Sequence, residues 1–161
     1  MKLEKELKLP KPLKDINHET LLSILRTHSL LMKRSANFFS NYEVTDVQFN
    51  ILMILYEYSP DDGMSQQKLS EKLIVSKSNV VGLVDRLEKN AYLERKGSDD
   101  RRINKVVITP KGKRLVSKIY DLYFKEVNDV VNCLSDKEKK SIIVSLGKIR
   151  DYLKRNEQWK M

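Results

Sequence analysis

Cysteine occurs once in this 161-residue chain, tryptophan once and histidine twice, while glycine and proline together supply nine residues. A single cysteine excludes a disulfide framework within the chain, and a reducing cytoplasm is the expected compartment. Two histidines and one cysteine make no metal-ligand cluster, and there is neither a phosphate-binding glycine loop nor a nucleophile motif. No metal, cofactor or enzymatic activity is therefore expected. Long apolar runs are also missing. The longest, Ile51-Leu52-Met53-Ile54-Leu55-Tyr56, falls far short of the roughly 20 residues that cross a bilayer. The start, Met1-Lys2-Leu3-Glu4-Lys5-Glu6, alternates charged and apolar residues and lacks the apolar stretch of a signal peptide, so no membrane partner is expected.

Charge is what the chain has. Charged residues make up 33% and hydrophobic ones 40%, a balance that suits a single domain with a buried core and excludes wholesale disorder. Lysine and arginine number 31 against 22 acidic residues, a net charge of +9. Its distribution is uneven. Residues 1–63 carry eight basic and nine acidic groups, residues 64–113 carry twelve and six, and residues 114–161 carry eleven and seven. A polyanion would be drawn first to the middle segment; a merely well-solvated surface is the plain alternative.

Residues 1–14, lysine-rich with Pro10 and Pro12, read as an extended arm. From about Asp15 to Ser40, Leu21, Ile24, Leu25, His28, Leu31, Met32 and Phe39 follow helical spacing. His28 on that stripe reads as a core or interface histidine sooner than as a ligand. The next helix start is complete: Thr45 caps, Gln48 closes a capping box, and Val44 with Phe49 makes the staple. This helix runs from Asp46 to about Tyr58 and stops at Pro60 and the Asp61-Asp62-Gly63 turn. Ser65 caps a short helix with Leu69 and Leu73 on one face, Ile74 and Val75 turn the chain, and Ser76 caps another helix. There Val80, Leu83, Val84 and Leu87 form an apolar face. Ser78, Gly82, Asp85 and Lys89 form the opposite one, flanked by Val81 and Arg86. Asn90 is expected to supply the left-handed stop.

Leu93-Glu94-Arg95 and Lys105-Val106-Val107-Ile108 read as two strands joined by a polar loop. Thr109-Pro110 opens a long helix through Leu115, Ile119, Leu122, Tyr123, Val130 and Leu134. A second capping box, Ser135 with Glu138, opens a last helix with Ile142, Leu146, Ile149 and Leu153 as its stripe. The expected fold class is mainly α with a small β-hairpin wing.

Residues 65–90 thus form a helix-turn-helix, and a charged hairpin follows directly. Such a helix fits the major groove, where short side chains near its N-terminus allow close approach. The helix starts at Ser65 and Ser76 offer free amides to phosphates. A helical hairpin with an ordinary solvated face is the competing reading. Candidate DNA-binding residues on the helices are Ser65, Gln66, Ser76, Lys77, Ser78, Asn79, Val81, Gly82 and Arg86. On the hairpin they are Lys96, Asp100, Arg101, Arg102 and Lys105. Two guanidiniums at a loop tip suit a minor groove, and a carboxylate beside them can hold one in a fixed orientation.

At this point the chain resembles a family. Asp100-Arg101-Arg102-Ile103-Asn104-Lys105-Val106-Val107-Ile108-Thr109-Pro110-Lys111-Gly112 is similar to the wing signature of the MarR-type regulators, D-R-R-x-x-x-V-x-L-T-x-x-G. Residues 76–88, ending Val84-Asp85-Arg86-Leu87-Glu88, resemble that family's recognition helix, and Gln67 to Leu73 its preceding short helix. The resemblance covers roughly residues 16–156. It implies a single chain, 1–161, with a winged-helix DNA-binding region at 45–112, the helix-turn-helix at about 65–90 and the wing at about 92–109. The segments 15–44 and 113–156 would form an α-helical dimerisation region. It further implies a homodimer on a near-palindromic double-stranded operator, with half-sites roughly 10 bp apart, acting as a repressor or activator, with repression the expectation. By that analogy Arg102 reaches the minor groove, Asp100 orients it and Arg101 contacts backbone. Two departures stand out. Ala91 replaces the glycine usual before the first wing strand, which passes the strained conformation to Asn90. Gly82 replaces a longer polar or basic residue, so a base contact there is either absent or supplied by Arg86.

The remaining residues have competing readings. Asp85 either orients Arg86 or Arg102, which is preferred, or simply faces solvent. Cys133 is expected to pack as a small hydrophobe rather than to sense redox, since the family's peroxide sensors place a cysteine near the start of the first helix and this chain has none there. Many relatives are released from DNA by small aromatic acids. A small aromatic or anionic effector would here meet Arg26, with Phe49 and Tyr123 enclosing its ring, against core packing for the aromatics and plain exposure for Arg26. A non-regulatory winged-helix module, binding protein or serving an architectural role on DNA, is the functional alternative.

Overall fold

The protein, a computed structural model, is described for residues 3–73, 77–97 and 104–156. It divides into two compact units, 1–113 and 114–161. The first begins with a short helix α1 (Leu3–Glu6), so part of the expected extended arm is helical. Glu6 pairs with Arg26 of the next helix at 2.7 Å, which ties the arm down. That helix, α2 (Ile16–Phe39), starts where Asp15 accepts from Asn17 N at 2.7 Å. Its stripe at Leu21, Leu25, Leu31 and Met32 is exposed in the single chain, and so is His28, which removes the core reading for that histidine.

Helix α3 (Asp46–Tyr58) carries both bonds of the expected Thr45–Gln48 capping box. Its near-continuous apolar sequence is explained by burial on several sides: Phe49, Ile51, Leu52 and Leu55 are fully enclosed. Each such side chain contributes about 1.5–3 kcal/mol of transfer free energy. After a turn with Gly63 at φ +68° comes a two-residue strand β1 (Met64–Ser65) that the sequence pattern does not announce. Helix α4 (Gln66–Lys72) and helix α5 (Lys77–Lys89) follow. Leu69, Val80, Val84 and Leu87 are buried, while Leu83 is only half-buried.

The stop of α5 differs from expectation. Ala91, not Asn90, takes the left-handed conformation, at φ +58°. Ala91 N donates to Glu88 O and Tyr92 N to Leu87 O, at 2.8 and 2.9 Å. This paired pattern defines a Schellman stop and assigns the left-handed position to the residue after the cap. Strands β2 (Leu93–Gly97) and β3 (Asn104–Ile108) make the wing, and β1 joins them in an antiparallel sheet of order β1-β3-β2. The hairpin is thus part of a three-stranded sheet.

Helix α6 (Pro110–Val131) starts against that sheet. Thr109 Oγ1 accepts from Gly112 N at 3.1 Å and donates to Ala91 O at 2.7 Å, so one hydroxyl joins the start of α6 to the end of α5. A Cβ on Gly112 would stand 2.1 Å from Tyr92 O, so only glycine permits this approach. The Tyr92 hydroxyl donates to Glu43 at 2.8 Å, and burial, reinforced by that carboxylate, pushes its phenol above the ordinary range.

The second unit holds the rest of α6 and helix α7 (Asp136–Arg155). The Ser135–Glu138 capping box is present, and its bonds to Ser135 hold the Glu138 carboxyl below the usual range. Val116 and Ile119 are buried, but Leu122, Ile142, Ile149 and Leu153 are exposed. Cys133 is exposed too, because it falls in the turn after α6 instead of on a packed face, so the expected packing is not found in the single chain. Among the described residues no helix is long and apolar enough to cross a membrane.

Candidate nucleic-acid interface

One serine connects the sheet to the helix-turn-helix. Ser65 ends β1 and caps α4, its Oγ accepting from Lys68 N at 3.3 Å. In the sheet Ser65 stands opposite Lys105, and Lys105 stands opposite Lys96. Directly paired residues share a face of the sheet, so the three form one row from the start of α4 to the wing. Lys105 and Lys96 are both exposed, and like charges set opposite one another repel. Glu94, 3.1 Å from Lys96 Nζ, offsets part of that repulsion. The row remains a place where a polyanion relieves repulsion by binding.

Helix α5 presents the second part. Val80, Val84 and Leu87 anchor one face in the core. On the other, Val81 is 48% exposed, Arg86 is exposed, and a Cβ on Gly82 would meet nothing within 4 Å. Lys77, Ser78 and Asn79 form the first turn. An open groove of about 310 Å³ lies beside α5, lined by Gln66, Gln67, Ser70, Val80 and Val81. Ser76, Asp100, Arg101 and Arg102 lie outside the described residues.

The acidic groups of α5 do not act as expected. Asp85 does orient an arginine, but the arginine is Arg95 of β2. Glu88 pairs with the same guanidinium and also accepts from Arg95 N at 3.1 Å. Turning the Gln66 amide so that its oxygen faces inward, the orientation its neighbouring donors favour, lets it accept from Arg95 Nη2 and Nε at 3.2 Å. Gln66, expected to face DNA, has a partner within the protein in that orientation and also lines the open groove beside α5. The Asp85 hydrogen bond foremost, aided by Glu88, raises the Arg95 guanidinium above its already high ordinary value. Arg95 escaped the sequence reading, although a signal existed. It stands two residues after buried Leu93 and opposite buried Val106, so strand alternation turns it to the core face.

The residues expected to meet an effector are placed as follows. Phe49 is fully buried, its ring 5.2 Å from that of Phe39, in keeping with the core reading. Arg26 already holds a carboxylate, that of Glu6. Tyr123 belongs to the second unit, where its ring lies 5.4 Å from Phe124. An open pocket of about 400 Å³ lies where α2 turns into α3, lined by Phe39, Tyr42, Glu43 and Gln48 among others, and by none of the three.

Comparison with known proteins gives this geometry a setting. Residues 44–103 match the model of the MarR family. Across 144 residues the chain is 25% identical to the HTH-type transcriptional regulator PecS of Dickeya dadantii (strain 3937), covering 88% of this chain and 87% of that protein. The fold matches AbsC, a MarR family transcriptional regulator from Streptomyces coelicolor, with TM-score 0.82 at 21% identity over 91% of this chain and 99% of the other. It also matches Sco3205, a MarR family regulator of the same organism solved in complex with DNA, with TM-score 0.79 at 21% identity over 92% and 95% of the two chains.

Proposed function

We propose, from the match of residues 44–103 to the MarR family model, that the chain is a transcriptional regulator that binds duplex DNA as a homodimer on a near-palindromic operator. The observation that carries this reading is the row Ser65, Lys105 and Lys96 beside the outward face of α5. Backbone amides at the start of α4 and two lysines offer phosphate contacts, while Val81, Gly82 and Arg86 stand where base edges would be read. In this arrangement α5 enters the major groove and the wing lies along the flanking backbone. Arg102 reaches the minor groove with Asp100 as its orienting carboxylate, and Arg101 holds phosphate. The apolar stripes left open on α2, α6 and α7 supply the dimer contacts. An anionic effector acting through Arg26 must displace Glu6.

Selection of bound fragments from the source genome tests the reading. Recovery of promoter DNA containing an inverted repeat is the expected result. Failure to enrich any sequence, with the protein folded, would refute it in favour of a protein-binding or architectural module. The position of the recovered site relative to the promoter then distinguishes repression, which we expect, from activation.

A further inference from the structure

Asp85 and Glu88 are poorly placed for a DNA-reading helix on three physical grounds. They sit in the last half of α5, where the helix dipole disfavours carboxylates. They are three residues apart, so they repel across one turn. Asp85, with a side chain 57% exposed, also lies on the outward face that a polyanion would approach. One guanidinium answers all three. Arg95 reaches from the core face of β2, its backbone N–H and both terminal nitrogens committed to Asp85 and Glu88, and Gln66 of α4 takes a further share. Its side chain is only 26% exposed, and its position in the strand is that of a core residue.

We infer that Arg95 is a counter-ion that makes DNA binding permissible without touching DNA: it masks the carboxylates of Asp85 and Glu88 from the phosphates and thereby keeps α5 compatible with the groove. The inference rests on the DNA-binding reading of α5. It separates Arg95 from Lys96 and Lys105 on the same sheet, whose side chains face the other way. Arg95 acts through its two acidic partners, so its loss must be curable by removing them.

The test uses the full chain, the promoter duplex recovered by selection and a salt titration. Arg95→Gln is expected to weaken binding by about tenfold with an unchanged slope of log affinity against log salt, since no phosphate contact is lost. Asp85→Asn and Glu88→Gln added to Arg95→Gln should restore affinity to within about threefold of wild type. Thermal unfolding of each variant reports whether it folds, and the triple variant leaves no carboxylate unpaired. A slope flattened by about one unit per half-site would make Arg95 a phosphate contact and overturn the inference. So would a triple variant as weak as Arg95→Gln, the outcome for a wing strut, or no change in any variant. If the wild-type chain binds no duplex, it is the proposed function that fails.

Discussion

At the residue scale the clearest cost lies at Ala91. A left-handed backbone costs a residue with a Cβ about 1–2 kcal/mol, and Ala91 sits there at φ +58° because the Schellman stop of α5 requires it. Asn90, the residue better suited to that conformation, stands one position too early for the Leu87–Tyr92 bond that closes the stop. The helix length set by buried Leu87 therefore overrides the local preference. Ala91→Gly removes the strain but enlarges the unfolded ensemble, which takes back about 0.5–1 kcal/mol. A net gain of about 0.5–1 kcal/mol is expected, read as a rise of roughly 1–4 °C in Tm. An unchanged or lower Tm would place the left-handed turn elsewhere. Gly112 is the opposite case: its Cβ would collide with Tyr92 O, so the same exchange in reverse has no room.

At the scale of elements, the proposed function makes α5 a helix in which stability and recognition separate at one position. Gly82 lies mid-helix in open space, and replacing a helical glycine with alanine gains about 1 kcal/mol. Gly82→Ala should thus raise the midpoint of urea unfolding while lowering affinity for the selected duplex by roughly tenfold, because the added methyl occupies the close approach to the groove. Raised stability with unchanged affinity would mean that this face does not come near base edges. Apart from α1, which falls in the expected extended arm, the helices were legible in the sequence because their signals are local. Thr45 with Gln48, Ser135 with Glu138 and Thr109 before Pro110 each set a boundary within four residues of chain. What escaped was non-local. Strand β1 is two residues long, too short for alternation to register, and exists only because Met64 and Ser65 meet Val106 and Lys105. Asp85 and Glu88 find Arg95 across a helix end and a turn; strand alternation turns Arg95 to the core face, but nothing local names its partners. The third strand and the clamp on Arg95 are the parts of the site that only the folded chain reveals.

At the scale of the molecule, the exposed apolar residues call for an explanation that one chain does not contain. Leu21, Leu25, Leu31 and Met32 on α2 are each more than 40% exposed, and Ile142, Ile149 and Leu153 on α7 are exposed too. Isolated exposed leucines are ordinary, but contiguous helical stripes of this kind mark association surfaces. Helical periodicity in the sequence identified these faces and could not say what covers them. Under the proposed function a second copy would cover them about a two-fold axis, the symmetry that a near-palindromic operator would demand. Light scattering at micromolar concentration should therefore report twice the 18.9 kDa of one chain. Leu25→Glu should shift that mass toward the monomer by burying an unpaired charge in the interface. The DNA supplies an independent check. Half-sites spaced one helical turn present the same face of the duplex to both copies, so an insertion of about 5 bp between them turns one half-site to the far side. Affinity for that duplex should fall to the level of random DNA, and an insertion of about 10 bp should recover part of it. Equal affinity for all three spacings would mean that each copy binds alone, whatever the scattering mass.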